Sequence, residues 1–156
     1  MGVGPLITSA VIRLGSRTTR YLTHMCLALS VMLLLCLPLA SFAQTQLGTD
    51  IDGEAGYDES GGSVALSADG KYLAIGARQN DGNGLDSGHV RVFQWIEPAW
   101  IQLGEDINGE AVYDESGSAV ALSADGKRLA IGSRLHDGNG LDSGHVRVFQ
   151  WTGTSW

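Results

Sequence analysis

"SVALSADGKYLAIG" occupies Ser63–Gly76, and fifty-six residues later the chain reads "AVALSADGKRLAIG" from Ala119 to Gly132. In each, two apolar runs flank an Asp-Gly pair, Asp69-Gly70 and Asp125-Gly126. Such a pair between apolar runs predicts a β-hairpin with a two-residue type I′ turn, whose central residues both need positive φ. Working outward, Gln46–Trp100 aligns on Gln102–Trp156 without a gap, and 13 of the 55 pairs differ. The copies are too alike for a shared residue to signal anything beyond recent duplication. Their period, however, sets the architecture.

Each copy holds four strand-like runs: "SVALS" (Ser63–Ser67), "KYLAIG" (Lys71–Gly76), "HVRVFQW" (His89–Trp95) and "WIQLG" (Trp100–Gly104) in the first. The second copy repeats the first three, and the sequence reaches Trp156 where the fourth begins. Val64 and Leu66 share one face of their strand, as do Leu73 and Ile75, and Val90 and Val92. Ala65, Ala74 and Gly76, and on the third strand Phe93 and Trp95, occupy opposite faces. Neither face is plainly polar, so the sheet needs cover on both sides. No helical period occurs after residue 43. The expected fold is therefore all-β: two four-stranded antiparallel blades of period 56, about 46–101 and 102–156, forming part of a β-propeller.

Residues 1–43 read differently. Arg13, Arg17 and Arg20 precede "MCLALSVMLLLCLPLASFA" (Met25–Ala43), an apolar run broken by Pro38 and ending in small residues before Gln44. This pattern predicts a secretory signal peptide, and hence a secreted or cell-surface protein. An uncleaved N-terminal anchor and an organelle transit peptide are the alternatives, since 19 residues could just span a bilayer. Beyond residue 43 there are seven basic and seventeen acidic residues, a formal charge of −10. That balance excludes nucleic acid as a natural partner. A membrane would be met only through the N-terminal segment. Both cysteines, Cys26 and Cys36, precede residue 44, so the remainder forms no disulfide.

With these residues in view the chain resembles the FG-GAP repeat family, the blades of integrin-type propellers. The matching stretches are "GGSVALS" (Gly61–Ser67), "IGAR" (Ile75–Arg78) and "SGHVRVF" (Ser87–Phe93), with "GSAVALS", "IGSR" and "SGHVRVF" in the second copy. The resemblance implies a β-propeller, a role in adhesion or in binding proteins or glycans, and no catalysis by the blades themselves. Such families often carry a calcium loop between the first two strands. Here that connection is only Ser-Ala-Asp-Gly, so that site does not carry over. The phrase "LSADGKYLAIG" is also similar to the Tol-B-like propeller repeat, the runner-up within the same architecture.

The leading candidate for clustered oxygen donors is "NDGNGLDSG" (Asn80–Gly88) and its copy "HDGNGLDSG" (His136–Gly144). Asp81, Asn83 and Asp86, and Asp137, Asn139 and Asp142, are candidate calcium ligands, with glycines permitting a tight wrap. The plainer reading takes them as turn residues bonding their own backbone. "DIDGEAGYDESG" (Asp50–Gly61) is a weaker acidic candidate. His89 and His145 open a strand, and His136 stands where the first copy has Asn80, so the histidines read as ordinary strand and loop residues. No nucleophile elbow supports a triad. Trp95, Trp100, Trp151 and Trp156 are expected in packing between blades. Two blades do not close a ring of four to eight. The expected companions are therefore further blades or a second copy, beside a protein or glycan ligand. The rival functional readings are a propeller enzyme with its catalytic residues elsewhere, and a calcium-stabilised repeat array.

Overall fold

The structure, a computed structural model, describes residues 44–156. The N-terminal signal or anchor expected at 1–43 lies outside the described residues. Within Thr45–Trp156, a single compact unit, every regular element is a strand: β1 Ser63–Leu66, β2 Tyr72–Ala77, β3 His89–Ile96, β4 Ala99–Gln102, β5 Ile107–Asn108, β6 Ser116–Leu122, β7 Arg128–Ser133 and β8 His145–Gln150. Among the described residues no helix is long and apolar enough to cross a membrane.

Two antiparallel sheets result. Blade 1 runs β1-β2-β3-β4, and β5 joins the outer edge of β3 beyond β4. The Leu103 amide donates to the Val92 carbonyl at 2.7 Å between the two pairings, so the segment from Ala99 to Asn108 follows β3 along most of its length. Blade 2 runs β6-β7-β8. The hairpins form where expected, but with a different turn. Gly70 donates to Ser67 O and Ser67 to Tyr72 O, and of the Asp-Gly pair only the glycine has positive φ, +71°. Asp69 stays outside the left-handed region because its carboxylate is occupied: it accepts from the Ser67 hydroxyl at 2.7 Å and the Lys71 amide at 3.1 Å. Copy two repeats this arrangement around Asp125.

Register decides which residues meet. Ala74 lies opposite Val92 and Gly76 opposite Val90, so the third-strand valines share a face with the small residues of β2. Leu73 and Ile75 lie opposite Phe93 and Arg91 and share the other face with Val64 and Leu66. The blades pack unlike face to unlike face. Ala74, Val90 and Val92 of blade 1 form the core with Leu129 and Ile131 of blade 2 and with Ile107. The approach is close at Gly76, where a side chain would strike the Gly117 carbonyl. Burying Val90, Val92, Leu129 and Ile131 contributes about 1.5–3 kcal/mol each relative to exposure.

The tryptophans hold connectors. Trp95 and Trp100 meet edge to face at 5.4 Å, and the Trp100 indole donates to Leu47 O at 3.0 Å. Trp151 and Trp156 make the same pair, and Trp156 donates to Leu103 O at 2.8 Å. Each pair thus grips a Leu-Gly step, Leu47-Gly48 or Leu103-Gly104, where the chain enters its blade.

Candidate functional site

The acidic loop after β2 is where the blades are joined. Within Asn80–Gly88, Asp81 Oδ1 accepts from the Asp86 amide at 2.8 Å, and Asn80 Oδ1 accepts from Gly82 at 2.8 Å. Side chains bonding nearby backbone are what the turn reading expects. The loop's outward carbonyls then accept from the chain that enters blade 2. Tyr113 N donates to Leu85 O at 2.8 Å, Glu115 N to Asp86 O at 3.0 Å, Ser116 N to Ser87 O at 3.0 Å and Gly109 N to Gly88 O at 2.7 Å. Asn83 Nδ2 adds a bond to Gly109 O at 2.8 Å. Four main-chain bonds and one amide make a clasp between blades, and Asp86 contributes to it through its backbone.

In copy two, Asp137 Oδ1 again accepts from the Asp142 amide at 2.8 Å, and Asn139 N donates to Ser143 Oγ. This loop has the same internal form, but Leu141 is 84% exposed against 50% for Leu85, and Asp142 is exposed where Asp86 is half-buried. The six candidate calcium ligands therefore fall into two equivalent loops, one engaged and one open. Asp81, Asn83 and Asp86 do lie in one tight turn.

The donors Tyr113, Glu115 and Ser116 belong to "YDESG" (Tyr113–Gly117), whose first copy is Tyr57–Gly61. Asp58 and Asp114 are buried and tie their loops from within. Asp58 accepts from Ala55 N and Asn80 Nδ2; Asp114 accepts from Glu110 N and Ala111 N and meets His136 Nδ1 at 3.1 Å. The flanking residues are strained: Tyr57, Glu59, Tyr113 and Glu115 all have left-handed φ between 50° and 71°. Glu115 binds Arg134 in its own blade, at 2.5 Å and 2.9 Å, and Arg78 across the seam at 3.2 Å. The Arg134 hydrogen bond is the main reason its carboxyl is held below the usual range, with burial opposing. Glu59 pairs with Arg78 at 2.6 Å. Glu59, Arg78, Gly117 and Arg134 line a cleft of about 370 Å³ at this end of the seam. Each guanidinium there already has a carboxylate partner, so the cleft lacks the free positive charge an anion would seek.

Two further groups come together that the sequence did not suggest. Glu110, His136 and His145 lie within 4.8 Å of one another, as do Glu54, His89 and Asp106. These are the donor sets among the described residues that could hold a divalent cation. Their geometry favours other bonding. His136 and His145 stack at 3.8 Å with planes 26° apart, so their in-plane lone pairs run nearly side by side, and a tetrahedral ion would require one ring to leave the stack. Arg91 and Arg147 stand 3.7 Å from Glu54 and Glu110, placing positive charge beside the ligand carboxylate. His89 is buried, and burial chiefly holds its imidazole below the ordinary value, while Asp106 and Glu54 pull the other way. Reading copies separately hid both groups. Their members come from loops and from the first residues of β3 and β8, and His136 differs between copies.

Sheets of this order, stacked unlike face to unlike face and clasped at one end, define β-propeller blades. Residues 44–93 match the model of the FG-GAP repeat family. Over that span the chain is similar to an FG-GAP repeat, and Gln102–Trp156 repeats Gln46–Trp100 except at 13 of 55 positions. No curated protein matches the chain.

Proposed function

We propose that the chain is a secreted or cell-surface β-propeller module, non-enzymatic, that binds protein or glycan ligands in adhesion. The observation that carries this reading is the pair Tyr57 and Tyr113. Tyr57 is 95% exposed at φ +71°, and Tyr113 is exposed at +63°. A large aromatic held in solvent by a conformation that disfavours it costs stability twice, and such cost is characteristic of binding sites. Tyrosine offers a rigid apolar ring with a polar end, suited to stacking on sugar faces or packing into a protein groove. The buried Asp58 and Asp114 carboxylates fix both loops beneath.

The test uses Tyr57→Gly and Tyr113→Gly, singly and together, against a glycan array and a panel of immobilised surface proteins. Because glycine relieves the left-handed strain, the double variant is expected to melt at the same or a higher temperature while binding falls about tenfold or more. Unchanged binding would remove the reading. Secretion is checked separately, by finding a chain that starts near Gln44 in the culture medium.

A further inference from the structure

We infer that two copies of this chain dock head to tail, with blade 2 of one copy repeating on blade 1 of the next the junction that joins the blades within the chain. The inference rests on the stacked-blade fold and is independent of the ligand.

Exposure makes the case first. Val90 and Val92 are 0% and 1% exposed under blade 2, whereas Val146 and Val148, their counterparts, are 67% and 70% exposed. On the opposite side Val64 and Leu66 are exposed, while the corresponding Val120 and Leu122 pack against the core. One apolar face is thus open at each end, and the two are the unlike faces that already fit each other within the chain.

Polar groups are placed to follow. Arg78 reaches Glu115 across the internal seam; the same step puts the exposed Arg134 against Glu59 of the second copy, which is also exposed. The clasp carbonyls of Leu85, Asp86, Ser87 and Gly88 are taken. Their equivalents on Leu141, Asp142, Ser143 and Gly144 are positioned to accept from Tyr57, Glu59, Ser60 and Gly53 of the second copy, and Asn139 to repeat the bond of Asn83. The Ala68 amide donates to Ala124 O at 3.1 Å between the internal turns, and Ala124 would donate in turn to Ala68 of the second copy. Tyr72 covers Gly126, whereas Gly70 has open space in front of it, room enough for Arg128. Two contacts are lost: the Ser63 hydroxyl bond to Gly117 O has no counterpart, since Ala119 stands in its place, and the Val112 side chain over Gly84 is replaced by Gly56.

Because the contact is heterologous, it can be blocked from either side. The full chain is expressed with its own N-terminal segment and its mass measured in solution, as wild type, Val64→Asp and Val148→Asp. Both positions face solvent in the single chain, so circular dichroism should not change. Wild type is expected to exceed the monomer mass. Each variant alone is expected to associate about a hundredfold more weakly, since an unpaired carboxylate resists an apolar seam. Mixed, the two are expected to form a one-to-one dimer through their intact faces and nothing larger. Monomeric wild type, association indifferent to both substitutions, dimers of either variant alone, or failure of the mixture to pair would each overturn the inference. Val64→Lys and Val148→Lys give the same readout should an Asp variant misfold. A wild type that binds ligand yet stays monomeric sinks this inference alone, and a wild type that assembles but binds no ligand sinks only the binding role.

Discussion

Asp86 and Asp142 adopt left-handed φ of 49° and 52°, a region that favours Gly, Asn and Asp. Asp86→Asn should be nearly neutral in thermal melting, while Asp86→Val, β-branched, should cost about 1–3 kcal/mol. The same loop distinguishes turn from calcium chemistry. Asp81→Ala removes the acceptor of the Asp86 amide and is expected to lower the melting temperature equally in calcium and in chelator; a loss confined to calcium would identify a metal site instead. His89 sets a pH response. Burial lowers its folded pKa, so as pH falls through about 6.5 the unfolded chain takes a proton that the folded chain refuses. Stability is present above that point and declines below it. Glu54, Asp106, Asp58 and Arg91 act on the ring in the native state. Melting curves from pH 8 to 5.5 should slope downward in wild type and flatten in His89→Gln.

The hairpin turns show what the sequence could and could not disclose. Alternation and Asp-Gly placed β1, β2 and β7 to within a residue, because strand period and turn chemistry are local, whereas β6 begins at Ser116, three residues before the expected run, across a register shift between Ser116 and Ala119. The turn type was missed because Ser67 and Asp69 bond each other and the Lys71 and Tyr72 amides, leaving only glycine left-handed. Those bonds hold the Asp69 carboxyl below its usual range, the Ser67 hydroxyl first and the Lys71 amide next. Their contribution is therefore present above the ordinary carboxylate pKa and fades as pH falls through the lowered value. A comparison between copies follows. Gly70 and Gly126 share φ near 70°, but Gly70 faces open space and Gly126 lies under the Tyr72 ring. Gly70→Ala should cost about 1–2 kcal/mol by denaturant titration, and Gly126→Ala distinctly more. The clasp, too, was beyond local reading. Local sequence drew attention to the loop's side-chain oxygens, and only the neighbouring blade shows that its backbone carbonyls accept from passing amides.

At the scale of the molecule, the asymmetry between identical sequences is the main result. Val90 and Val146 sit in the same local sequence, yet one is core and the other surface. Val90→Asp should unfold the chain or cost about 3 kcal/mol or more, whereas Val146→Asp should leave the melting transition of the single chain unchanged; chemical denaturation of the two measures this directly. Alternation within the strands, which leaves neither face plainly polar, indicated that the sheets need cover on both sides. They could not indicate which side, since register puts Val90 and Val92 with Ala74 and Gly76 of β2.

The clasp between blades is written mainly in main-chain atoms, at Leu85, Asp86, Ser87 and Gly88 on one side and Gly109, Tyr113, Glu115 and Ser116 on the other. Amides and carbonyls are common to almost every residue type. Mutation can therefore alter the outward side chains of these loops, provided the backbone shape survives, without unfastening the joint. Whole units could be gained or lost in the gene, and loop tips could drift toward new targets, while the fastening stays the same.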